Sequence, residues 1–327
     1  MNRAPLKWLG AAAMAIFALP ALADSGVEAR QWLERMATAM NQMSYQGTFV
    51  YMRGAGMETM RITHIVDEQG IRERLYSIDG PQREVIRDRD GVRCVLGDGQ
   101  AVMEDPVVTG AIFPDIPIAG LDEPTSPYGV KTGPLARLAG HHGRRITITP
   151  RDEFRYGYDL WLEEKSGLLL KWVLFDAHDN MLARLVFTEL RLGNDIVRDE
   201  LHSTTPLEQF TRLESHMPQR QVMTRADPRW VPSELPPGFT LAAHSHQEEA
   251  GENVFEHLVY SDGLASVSVY IEQADPDFGV AEGLSRLGTA NAFYRRLGAR
   301  HLTVIGEVPP ATVRAIGNAF PAAAPNP

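Results

Sequence analysis

From Tyr45 to Gly97 the chain alternates with a period of two, and tight polar turns break the alternation into short runs. Tyr45, Phe49 and Tyr51 fall on one face of the first run. In the next, Met60, Ile62, His64 and Val66 oppose Arg61, Thr63 and Ile65. Asp67-Glu68-Gln69-Gly70 and Asp79-Gly80-Pro81 are turns, and Asp90-Gly91 joins Glu84–Arg87 to Val92–Leu96 as a hairpin. Side chains two apart share a strand face, and Asp-Gly suits a two-residue hairpin, so this pattern commits the region to an antiparallel sheet. Further strands are expected at Arg145–Pro150, Tyr156–Glu163, Leu168–Phe175 and Leu182–Leu190. Ahead of the first strand, Leu33, Met36, Met40 and Met43 keep the spacing of one helix face, which predicts a helix over Val27–Met43. Several strands are apolar on both faces, as in a sheet that curls around its contents. The fold class is therefore α+β, with a helix on a curled, largely antiparallel sheet. The Pro- and Gly-rich stretch from Pro106 to Pro134 has no sustained period and reads as a lid or flap over one face.

The rest of the chain divides readily. Thr205-Pro206-Leu207-Glu208 has the cap and N1 proline of a short helix. Residues 212–228 lose period and gain charge, and they read as a linker between a domain at 24–211 and a smaller one at 229–320. The smaller domain opens on the turn Leu235-Pro236-Pro237-Gly238-Phe239. It continues with a hairpin of Val254–Ser261 and Ala265–Glu272, a mobile or helical stretch at Ala281–Leu297, a strand at His301–Glu307 and a helix at Ala311–Phe320. A disordered tail is expected at 321–327. At the other end, Arg3 and Lys7 precede the uncharged run Leu9–Leu19 and the small-residue site Ala21-Leu22-Ala23. That is the layout of a secretory signal peptide over 1–23, cleaved after Ala23, and the run is too short to span a bilayer. No cysteine follows the cleavage site to carry a lipid anchor, so a secreted protein that does not span the membrane is expected.

Net charge is −10, which argues against a nucleic-acid partner. The single cysteine, Cys94, rules out an internal disulfide and reads as a small strand hydrophobe. His141-His142 and His244-Ser245-His246 lack the company of further ligands that a metal needs, and they read as exposed loop histidines. Glu163-Glu164 reads as a solvated corner. Gly283-Leu284-Ser285 lacks the second glycine of a nucleophile elbow, and no phosphate loop is present. Neither a catalytic set nor a cofactor is expected.

A set of motifs runs along the chain in order: Ser44-Tyr45-Gln46-Gly47-Thr48-Phe49-Val50-Tyr51, then Arg72-Glu73-Arg74-Leu75 with Asp79-Gly80, then Thr149-Pro150-Arg151-Asp152 with Arg155-Tyr156-Gly157. Leu235-Pro236-Pro237-Gly238-Phe239, Tyr260-Ser261-Asp262-Gly263-Leu264-Ala265 and Val304-Ile305-Gly306-Glu307-Val308-Pro309 complete the set. Together they resemble the MucB/RseB family of periplasmic negative regulators of the envelope-stress factor sigma-E. The resemblance implies a half-open β-barrel like lipoprotein carriers, plus a smaller C-terminal domain. It also implies a partner, the periplasmic part of a membrane-anchored anti-sigma factor, which is shielded from proteolysis until lipopolysaccharide or another lipid releases it. A lipid or lipoprotein carrier is the alternative reading, and the sequence leaves room for a homo-oligomer.

Two sets of residues follow as site candidates. Phe49 and Tyr51, with Ile62 and Leu75 from neighbouring strands, would line an apolar lipid pocket. In the second domain Arg286, Arg295, Arg296 and Arg300 reverse the prevailing negative sign, and they are the expected contacts to the anti-sigma segment.

Overall fold

A computed structural model describes residues 25–322, apart from 90, 97–100, 106–112, 114–115, 117–120, 122, 124, 194–195, 204–210, 215–228, 250–251 and 275–280. The leader, the short helix expected from Thr205 and most of the linker lie outside the described residues.

Helix α1 (Ser25–Gln42) leads into a run of strands: β1 (Tyr45–Arg53), β2 (Gly56–Asp67), β3 (Gly70–Ser77), β4 (Arg83–Asp88), β5 (Gly91–Leu96) and β6 (Ala101–Asp105). A second run follows: β7 (Tyr128–Leu138), β8 (His141–Pro150), β9 (Gly157–Glu163), β10 (Leu169–Phe175) and β11 (Met181–Leu192). Each run is a meander, and antiparallel pairing of β1 with β11 joins them. The result is one 12-stranded sheet with β7 at one edge and β12 (Thr211–Glu214) at the other. Those edges do not pair with each other, so the sheet curls without closing, as a half-open barrel.

Its core fills the concave side. Trp32, Leu33 and Met36 of α1 pack on Leu160, Leu162, Leu168 and Leu170, and Phe49, Ile62 and Phe187 are buried in the same cluster. The motif glycine Gly47 has a steric reason. A Cβ there would lie 2.6 Å from the Glu189 carbonyl oxygen, beside the Phe187 ring, where β1 and β11 cross tightly next to a bulge. Gly157 is similar, since a Cβ would run into the Phe175 ring and approach Ile148 O at 3.1 Å. Overpacking of this kind costs about 1–3 kcal/mol, so Gly157→Ala should lower the urea midpoint accordingly. An unchanged midpoint would show that Phe175 swings aside without cost.

The second sheet has six strands in the order β13-β14-β15-β18-β17-β16. They are β13 (Thr240–Glu249), β14 (Glu252–Ser261), β15 (Ser266–Gln273), β16 (Gly283–Leu287), β17 (Ala290–Leu297) and β18 (Arg300–Gly306), followed by helix α2 (Pro310–Ala319). Val313 and Ile316 of α2 pack with Leu258, Val269, Leu302 and Val304 in a separate core.

Five expectations are corrected. Ala281–Leu297 is not helical: β16 and β17 form a hairpin turned at Gly288, whose φ of 66° favours glycine. Strand β7 begins inside the stretch read as irregular, and its Gly133-Pro134 sits in a register break between Thr132 and Leu135 that hides the alternation. Thr211–Glu214, expected in part as linker, pairs in parallel with β6 and extends the first sheet. The histidines are strand residues. His244 is buried on β13, 3.0 Å from buried Glu256, and His141 on β8 approaches Leu190 O at 3.2 Å. Glu163 is likewise no solvated corner. It is buried and accepts hydrogen bonds from Lys165 N, Ser166 N and Ser166 Oγ. Burial pushes its carboxyl up, but the bonds from Ser166 and Lys165 outweigh this and hold it below the usual range. Cys94 lies on β5, partly exposed.

Candidate functional site

All four pocket residues meet at the first core, three of them buried and Tyr51 at its margin. Phe49, Ile62 and Leu75 are buried side by side on β1, β2 and β3, with Ile62 directly opposite Leu75. Among the described residues they line no open cleft. Phe113, from the stretch read as a lid, sits edge-on to Phe49 at 6.1 Å and stacks on Phe187 at 6.3 Å. Ile116 and Leu121 of the same stretch are buried in the same cluster. These side chains fill the concave side like a plug. Tyr51 is only half-buried, tilted against Trp172 at 6.0 Å. Burial raises its phenol pKa, with Arg53 opposing and Glu307 of the second domain adding to the rise, so Tyr51 belongs at the border between the domains.

The four arginines do not share one surface. Arg295 reaches across α2 and donates from Nη1 to Gly317 O, Asn318 O and Phe320 O, closing the carbonyl end of that helix. Successive residues of a strand point to opposite faces, so Arg296 leaves the α2 side. It is exposed, with Nε donating to Gly298 O. Arg286 on β16 is also exposed and donates to Gly288 O. Arg300 begins β18, partly buried. In the first domain most arginines pair with acids: Arg74 with Glu84, Arg61 with Glu200, Arg72 with Asp67 and Arg145 with Asp159.

A buried polar site lies outside both candidate sets. Arg155, in the loop between β8 and β9, has a fully buried side chain. Its Nε lies 2.9 Å from Asp262 Oδ2 in the β14–β15 turn, and Asp262's side chain is also fully buried. Arg155 Nη1 donates to Asp152 Oδ2 at 2.9 Å and Nη2 to Pro237 O at 2.6 Å. The guanidinium also lies near the Tyr128 and Phe239 rings, 5.4 and 5.2 Å from their centroids. Asp262 is equally engaged. Its Oδ1 accepts from Leu264 N and Ala265 N, and its Oδ2 from Tyr128 OH at 3.0 Å. Burial, with this carboxylate adjacent, pushes the Tyr128 phenol far above its ordinary value.

Every partner except Asp152 and Tyr128 lies in the second domain, so these contacts are a junction. Leu264 of the same turn packs against the first core, and a Cβ on Gly238 would lie 3.4 Å from Pro127. A second group of contacts lies alongside. Asn291 donates to Tyr156 OH at 3.1 Å and to Val308 O at 2.8 Å, and Thr312 Oγ1 donates to Phe154 O. Arg53 meets Thr289 and Glu307. Four of the sequence motifs therefore converge on one place: Asp152/Arg155-Tyr156, Pro237-Gly238-Phe239, Asp262-Gly263-Leu264 and Glu307-Val308. The motifs signalled the site. What they did not carry is that segments more than eighty residues apart in the chain meet there.

Comparison with known proteins covers both domains. Residues 28–205 match the MucB/RseB N-terminal domain and residues 224–320 the MucB/RseB C-terminal domain. A Pseudomonas aeruginosa protein named sigma factor AlgU regulatory protein MucB is 32% identical over 309 residues, covering 92% of each chain. A Haemophilus influenzae protein named sigma-E factor regulatory protein RseB is 26% identical and covers 97% of this chain and 98% of its own. Among solved structures, a crystal structure of MucB in complex with MucA(peri) overlays with a TM-score of 0.70 at 31% identity, covering 91% of this chain and 100% of the other. A further crystal structure of MucB overlays with a TM-score of 0.59 at 30% identity, covering 91% of this chain and 98% of the other.

Proposed function

The chain belongs to the MucB/RseB family, and from that premise we infer that it is a negative regulator of an envelope-stress sigma factor that works by binding. Its partner is the periplasmic domain of a membrane-anchored anti-sigma factor, which it shields from proteolysis. The compartment is the periplasm, reached by cleavage after Ala23. The observation that carries this reading is the likeness, along 91% of the chain, to a MucB crystallised with MucA(peri). Calorimetric titration of the mature protein with the periplasmic domain of its own organism's anti-sigma factor tests it. Saturable binding and slower cleavage of the bound partner are expected, and absence of heat would overturn the reading.

Arg286 and Arg296 are the members of the arginine set exposed for contact with an acidic stretch of that partner. Their reversal to Glu should slow association roughly tenfold, leave thermal stability unchanged and flatten the salt dependence. Arg295→Glu should instead lower stability by about 1 kcal/mol, the scale of a charge at a helix C-terminus. If the Arg286 and Arg296 variants associate at the wild-type rate, the partner lies elsewhere.

Lipid sensing belongs to the same reading with one condition set by the packing. An acyl chain would have to take the place of Phe113, Ile116 and Leu121 on the concave side. Release of the partner then requires that lipid bind the free protein better than the complex.

A further inference from the structure

We propose that the buried Arg155–Asp262 pair acts as a positioning lock, holding the two domains in the one relative orientation that the partner recognises; the inference rests on the anti-sigma-binding reading above. Both side chains are fully buried: Asp152 and Pro237 O accept from the arginine, Leu264 N, Ala265 N and Tyr128 OH donate to the aspartate, and Arg155 Nε meets Asp262 Oδ2 at 2.9 Å as a charge contact rather than a hydrogen bond. Residues that only needed to fill this space would be apolar, because burying an ion pair gives little net stability over a well-packed apolar pair. What a pair of this kind supplies is direction. A planar guanidinium held by two hydrogen bonds and a buried carboxylate contact tolerates little rotation of one domain against the other.

The neighbouring contacts are built differently. Arg53 and Glu307 are more than a third exposed, and Asn291–Tyr156 is a single neutral bond. Asn291, Tyr156 and Thr312 are buried as well, but their bonds are neutral, so Arg155–Asp262 stands apart as a charged pair buried on both sides. The lock therefore has one charged element, with neutral or exposed neighbours that outlast its loss.

Asp262→Asn sets an amide NH2 or a neutral oxygen against Arg155 and removes the charge, while the turn can keep its bonds from Leu264 N and Ala265 N. Tyr128→Phe removes only the phenol bond and gives a graded, gentler change. In full-length protein carrying Cys94→Ser, spin labels at Gln69→Cys and Arg314→Cys, one exposed site per domain, report the interdomain distance by pulsed electron resonance. Wild type should give one narrow distribution, Tyr128→Phe a slightly broader one and Asp262→Asn a broad one, with the circular dichroism of both sheets retained. Affinity for the anti-sigma periplasmic domain should fall in the same order, by at least about tenfold for Asp262→Asn, as expected when the competent orientation is only fractionally populated. Bridging Arg53→Cys to Glu307→Cys with a short bismaleimide should restore affinity in the Asp262→Asn background, which a general loss of stability would not allow. A narrow distribution in Asp262→Asn, a broad one with unchanged affinity, or no rescue by the bridge would each overturn the lock. If wild type fails to bind the anti-sigma domain at all, the functional reading fails, and the distance distributions still decide whether the pair fixes the domains.

Discussion

Replacing Phe49 with alanine should lower the stability of the full chain by about 3–5 kcal/mol, a large part of what a folded domain has to spare. Phe49 is completely buried on β1, with Phe187 edge-on at 5.4 Å and Phe113 at 6.1 Å. Deleting the ring removes its transfer free energy and leaves a void that β1, paired on both sides, cannot collapse to fill. An open lipid pocket predicts the reverse balance, with a small stability loss and a large binding loss. Chemical denaturation and titration of an apolar fluorescent probe, measured on the same variant, separate the two. A loss near 1 kcal/mol would mean that water already reaches this face and that the Phe113 plug is not seated in solution. With the plug seated, Phe49→Ala should bind the probe better than wild type does, because the vacated volume is dry and apolar.

The plug shows where reading the sequence reached its limit. Alternation along β1 to β5 placed Phe49, Ile62 and Leu75 on one face, since a pleated strand fixes which side chains are neighbours. Whether that face encloses a ligand or its own chain depends on a segment with no period, and Pro106–Pro134 offered none. Strand β7 was hidden for a related reason, as Gly133-Pro134 at its bulge looks like loop chemistry. The β16–β17 hairpin was missed because β16 is exposed along nearly its whole length and has no buried face to give an apolar stripe. Arg295 was misjudged in another way. Its charge was visible, but its three carbonyl acceptors come from a helix over twenty residues later. By contrast, α1, α2 and the β14–β15 hairpin were legible, because helix spacing and an Asp-Gly turn are local properties. The junction stands between these cases. Its segments were recognisable as motifs, and only the fold reveals that one arginine gathers them.

Removing that arginine should have the other large effect. Arg155→Ala leaves Asp262 buried with its charge uncompensated and deprives Asp152 and Pro237 O of their donor. Breaking a buried pair from one side typically costs about 3–5 kcal/mol. The location of the loss matters as much as its size. Arg155 lies in a loop between β8 and β9, outside both apolar cores, so neither core loses a side chain. The penalty falls on the contact between two domains that each bury a cluster of their own. Calorimetry of the wild type should therefore show one coupled transition, and Arg155→Ala two, with the small domain melting first because it has the smaller core and loses its buried support at Asp262. Arg155→Met fills the volume without the charge but still strands Asp262, and it should behave as Arg155→Ala does. The double variant Arg155→Met with Asp262→Leu buries no unpaired charge and should regain most of the stability. It should not regain the narrow interdomain distance, because two apolar side chains pack in several orientations whereas a forked guanidinium accepts one. Recovery of both in the double variant would reduce the pair to ordinary packing, and recovery of stability alone would separate what holds the domains together from what aims them.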